Sequence, residues 1–69
     1  MAKILVAEDE KQIADMISFK LTNAGHQVVR APDGEQAMAS AKREMPDLIL
    51  LDVMMPGLGG IEVLRRLKN

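Results

Sequence analysis

Sixty-nine residues weighing 7.6 kDa form at most one small domain, in the size range where a single apolar core gives roughly 3–5 kcal/mol. The absence of Cys excludes disulfides and thiolate metal sites and fits a reducing, cytoplasmic compartment. Nine basic residues against 10 acidic ones, net charge −1, argue against nucleic acid or an acidic membrane as a direct partner. The apolar run Ile4 to Ala7 is too short for a signal-peptide core, and no stretch approaches a membrane span. With one Phe and neither Tyr nor Trp, the core has to be built from Leu, Ile, Val, Met and Ala.

The chain reads as three repeats of a short apolar run followed by an amphipathic segment, the pattern of βα units on a parallel sheet. Lys3 to Ala7 lacks polar alternation at its centre, as in a strand buried on both faces. The spacing then becomes helical at Ile13, Met16, Ile17 and Leu21, and Gly25 stands where a helix stops. Gln27 to Ala31 is shorter and more polar, as edge strands are. Between them His26 reads as a solvated turn residue.

Pro32-Asp33-Gly34 is a turn, and Asp33 with Gln36 resembles a capping box opening a second helix whose apolar side is Ala37, Met38, Ala41 and Met45. Pro46 ends it. Lys42-Arg43 reads as a solvated helix face. Asp47 to Asp52 is the most apolar run, closed by a carboxylate. A loop with Pro56, Gly57, Gly59 and Gly60 leads to a last helix carrying Ile61, Val63, Leu64 and Leu67, and to the solvated pair Arg65-Arg66. The order is βαβαβα, and right-handed crossovers give a strand order of 2-1-3.

Ligands of open parallel sheets bind beyond the carboxyl ends of the strands where strand order reverses, here between the first and third strands. Glu8 and Asp9 follow the first of these and Asp52 the third. Three converging carboxylates repel one another, and a hard divalent cation with oxygen ligands relieves that; magnesium suits the donor set better than zinc. A plainer reading makes Asp9-Glu10 a helix cap with a favourable dipole and Asp52 a solvated loop acid.

From Lys3 to Lys68 the sequence resembles the receiver domain of two-component response regulators. The resemblance rests on Ile4-Leu5-Val6-Ala7-Glu8-Asp9-Glu10, on Ala31-Pro32-Asp33-Gly34 with Glu35-Gln36-Ala37 after it, and on Pro46-Asp47-Leu48-Ile49-Leu50-Leu51-Asp52-Val53-Met54-Met55-Pro56. It implies a flavodoxin-like α/β fold, with Asp52 as the phosphoacceptor. It also implies Mg²⁺, or Mn²⁺, held by Glu8, Asp9, Asp52 and the backbone carbonyl of Met54, and a sensor histidine kinase as partner of the parent protein. The family often has a polar residue where Gly59 stands.

Receivers resemble a five-strand sheet in the order 2-1-3-4-5, whereas residues 1–69 supply three βα units of a partial receiver. The hydroxyl residue expected after a fourth strand and the Lys expected after a fifth have no counterpart here, so phosphorylation is expected to be impaired. The other reading is a self-associating half-domain with a structural or interaction role. In either case a homodimer through the third strand and the faces beside it is expected, because Leu48-Ile49-Leu50-Leu51 carries nothing to protect an edge. Antiparallel pairing of two such strands would give a sheet in the order 2-1-3-3-1-2, and exchange of a βα unit is the alternative.

Overall fold

The computed structural model describes residues 1–52 together with 65 and 66. Its elements are β1 (Lys3–Ala7), α1 (Lys11–Asn23), β2 (Gln27–Ala31), α2 (Gly34–Glu44) and β3 (Leu48–Leu51). The strands are parallel and ordered β2-β1-β3, as the crossover rule predicts. The predicted loop at Pro56 to Gly60 and the apolar positions of the last helix lie outside the described residues; Arg65 and Arg66 are helical and exposed.

β1 is the central strand because its residues can be buried on both faces. Ile4, Leu5, Val6 and Ala7 all lose their solvent contact, and the register sets Ala7 beside Ala31 on one side and Leu51 on the other. Backbone bonds fix both ends of the sheet. The Asp47 N–H donates to the Lys3 carbonyl at 2.7 Å, while the Asp47 carboxylate accepts the Lys3 N–H at 2.8 Å. At the opposite end Glu8 N–H bonds the Ala31 carbonyl and Asp52 N–H bonds the Ala7 carbonyl.

α1 stops where predicted. Gly25 takes φ +92°, a conformation that a side chain would strain, and the N–H groups of Ala24, Gly25 and His26 satisfy carbonyls of the last turn. His26 is more than a solvated turn residue: it is half-buried, and its Nδ1 accepts the Ala2 N–H at 3.1 Å, tying the N-terminal residues to the start of β2. α2 opens as a capped helix, the Asp33 carboxylate accepting the Gln36 N–H at 2.8 Å. The return bond of the box differs, since the Gln36 amide reaches the Asp33 carboxylate at 3.4 Å. At the other end Met45 turns left-handed, φ 49°, and is exposed instead of joining the apolar side. The exposed pair Lys42-Arg43 is only partly solvated in its contacts, because Arg43 meets Glu44 at 3.0 Å.

The core lies between α2 and the sheet, where Leu5, Ala7, Ala31, Ala37 and Ala41 cluster with Val29, Met38, Ile49 and Leu51 against them. By strand alternation Ile4 and Val6 face the α1 side. There the approach is made by Ala14, the buried residue of α1, with Ile17 and Leu21 half-buried. Ile13 and Met16, predicted for the same stripe, are exposed, as are Leu48 and Leu50 on the same face of β3. The two faces of β3 therefore differ: Ile49 and Leu51 are half-buried against the core cluster, while Leu48 and Leu50 are exposed.

Candidate functional site

The register that aligns Ala7 with Leu51 also brings the residues just past both strands side by side. Glu8, Asp9 and Asp52 each offer a carboxylate oxygen, and these oxygens lie within 4.8 Å of one another. Glu8 and Asp52 are half-buried and Asp9 is exposed. They form one end of a cleft of about 600 Å³ whose walls are Val6, Ala7, Ile13, Ile17, Leu50 and Leu51. The topological switch between β1 and β3 is thus an acidic pocket with an apolar flank.

The capping alternative is not what the side chains do. Glu10 is the N-cap of α1 and makes no side-chain capping bond. Its N–H donates instead to the Glu8 carboxylate at 3.1 Å. That bond alone would favour the charged form of Glu8. Burial, the negative charge of Asp52 and the contacts with the Asp52 and Asp9 carboxyls outweigh it, and Glu8 titrates above the ordinary glutamate range.

Three crowded carboxylates are costly as they stand, and the donor set is all oxygen. That combination suits a hard divalent cation such as Mg²⁺ or Mn²⁺ better than zinc. The Met54 carbonyl, the fourth ligand implied by the resemblance, lies outside the described residues. The apolar wall was missed from the sequence. Its signal was present in Ile13 and Ile17, one and two helical turns beyond Asp9, which places them on the flank of α1 nearest the acids.

The response regulator receiver domain family matches residues 4–69. Alkaline phosphatase synthesis transcriptional regulatory protein PhoP of Bacillus subtilis is 48% identical over 67 residues, which are 97% of this chain and 28% of that protein. Among solved structures, the N-terminal domain of a response regulator receiver protein from Methanoculleus marisnigri superposes with a TM-score of 0.96 at 35% identity, covering 100% of this chain and 56% of the other. The BeF3-activated N-terminal receiver domain of Klebsiella pneumoniae RstA gives 0.91 at 38% identity, covering 96% and 56%. The chain spans just over half of these solved chains and about a quarter of PhoP. The strand order, the helices between the strands and these matches agree, and the chain belongs to the response regulator receiver domain family, with the flavodoxin-like fold of that family over its first βα units.

Proposed function

We propose that this chain is the phosphoacceptor portion of a receiver domain in two-component signalling, with Asp52 as the acceptor. The observation that carries the reading is the meeting of three carboxylate oxygens within 4.8 Å at the ends of β1 and β3. A carboxylate oxygen of Asp52 attacks phosphorus, and the bond from phosphorus to the donor breaks with its electrons leaving on the donor. Asp52 suits this role because its backbone is fixed by the bond to Ala7 while its side chain borders an open cleft. Glu8 and Asp9 are the residues that, with Asp52 and the Met54 carbonyl, would hold magnesium. When bound, the cation offsets the charge of the acceptor and of the incoming phosphoryl oxygens.

Support comes also from the RstA receiver, which was crystallised in a BeF3-activated form, since beryllofluoride imitates a phosphoryl group on a carboxylate. Membership in the family supports a sensor histidine kinase as the phosphoryl donor. We further propose a cytoplasmic location; among the described residues no helix is long and apolar enough to cross a membrane.

Incubation with a small phosphodonor and Mg²⁺, followed by intact mass, tests the assignment. The expected result is a slow single phosphorylation, slower than in a complete receiver, that disappears in Asp52→Asn. Equal labelling of both proteins would place the acceptor elsewhere.

A further inference from the structure

Glu10 borders the acid cleft without belonging to the group of three carboxylates that meet there. It is the N-cap of α1, yet its carboxylate makes no capping bond. Among the described residues no ion pair holds it either, whereas Asp15 faces Lys11 and Arg30, and Glu44 faces Lys3 and Arg43. A paired acid acts at a distance as a dipole, and an unpaired one acts as a full charge.

The backbone limits how far that charge can lie from the cluster. The Glu10 N–H donates to the Glu8 carboxylate at 3.1 Å, and a glutamate carboxylate reaches about 6 Å from its own backbone nitrogen. Whatever rotamer Glu10 adopts, the two carboxylates are separated by no more than about one Debye length, ~10 Å at 0.1 M salt. At that range a unit negative charge attracts a divalent cation and repels a doubly charged anion equally, each by about a two- to threefold change in affinity or rate at low salt.

We propose that Glu10 is a specificity-determining residue of the phosphoacceptor site, one that ligates nothing and acts through its charge. It strengthens the hold of Glu8, Asp9 and Asp52 on a divalent cation and disfavours small anionic phosphodonors; its effect on donors rests on Asp52 being the acceptor. With acetyl phosphate, a doubly charged acyl phosphate, an Asp52 oxygen bonds to phosphorus while the P–O bond to the acyl group breaks and its electron pair leaves on acetate. That dianion approaches against the field of Glu10. A protein carrying the phosphoryl group offsets the same repulsion with contacts made away from the cleft, so Glu10 favours macromolecular donors over free ones.

Glu10→Gln and Glu10→Lys in the 69-residue chain test this, since both keep the N–H that holds Glu8, and circular dichroism checks that α1 is retained. In a Mg²⁺ titration followed by NMR at low salt, affinity should fall about threefold in Glu10→Gln and about tenfold in Glu10→Lys. At saturating Mg²⁺, which already screens part of the charge, intact mass should show acetyl phosphate labelling Asp52 about twofold and fourfold faster. Both differences should vanish in 1 M salt, where the Debye length is about 3 Å. Glu44→Gln, the same loss of charge beside Lys3 at the opposite end of β1, should change neither value. A structural role for Glu10 would lower affinity and rate together; that result, or two unchanged values, overturns the proposal. Affinities that fall in the expected order with no labelling of wild-type Asp52 would overturn the phosphoacceptor reading, and the donor preference with it.

Discussion

The Asp52 N–H donates to the carbonyl of Ala7 at 2.9 Å, so the last residue of β1 holds the first residue beyond β3. Through that bond the sheet itself forces Asp52 against Glu8 and Asp9, whose backbones follow directly from Ala7. The repulsion among them is built into the register and does not depend on flexible side chains.

Asp52→Asn is therefore expected to raise stability in metal-free buffer, by about 1 kcal/mol for a partly exposed pair of like charges. Saturating Mg²⁺ should close the gap by stabilising the wild type and leaving the variant almost unmoved. Urea denaturation of both proteins with and without Mg²⁺ measures this. An unchanged gap would separate Asp52 from the metal site.

Acid should destabilise the chain through two other carboxylates. Bonds from Lys11 and then Arg30, at 3.0 Å and 2.6 Å, hold Asp15 below the ordinary aspartate range. Arg43 and then Lys3, at 3.0 Å and 3.4 Å, do the same for Glu44. A carboxyl with a lowered folded pKa contributes stability above its unfolded pKa, and that stability is lost as pH falls through the folded value. Glu8 has the opposite sign: its raised folded pKa favours the folded state at low pH, and the benefit is lost as pH rises through that value. Urea midpoints should consequently fall as pH drops below about 4, and the fall should be shallower in the double variant Asp15→Asn, Glu44→Gln.

Met45 holds a left-handed conformation with an exposed side chain, so it bears the strain with no packing in return. Met45→Gly should stabilise the fold by about 1 kcal/mol. The thermal midpoint reads this directly, and a decrease would mean that Met45 packs in a way its exposure does not reveal.

Asp33→Ala removes the acceptor for the Gln36 N–H at the start of α2. The expected loss is about 1 kcal/mol, with Asp33→Asn recovering most of it. Chemical denaturation of the three proteins provides the comparison.

The limits of β1 were legible because a strand buried on both faces is apolar at its centre, and those of β2, a more polar edge strand, because Gly25 and the Pro32 turn bound it. Lys3 to Ala7 and Gln27 to Ala31 were read with their observed bounds. The acids that end the runs were legible for the same reason, as a charge cannot continue into the core. The α1 stripe was less so. Helical spacing puts the large residues on the sheet side, yet Ala14 is the buried residue of α1 and Ile13 and Met16 remain exposed. Periodicity gives the line of a stripe along a helix, but the sheet beneath decides which part of its width is covered, and here the cover stops short of β3. The bond of His26 is not legible in the sequence, because its partner, the Ala2 N–H, is 24 residues away and depends on the β1–β2 register.

Alanine supplies five of the eight buried hydrophobic residues among those described: Ala7, Ala14, Ala31, Ala37 and Ala41. In most cores the damaging change is truncation, which leaves a void. Here most positions have nothing to truncate, and both helices lie close to the sheet because a methyl group is all that separates them. Sensitivity runs the other way. Adding one or two carbons at Ala37 or Ala31 would wedge α2 off the strands, so the positions least tolerant of change in this chain are its smallest buried ones.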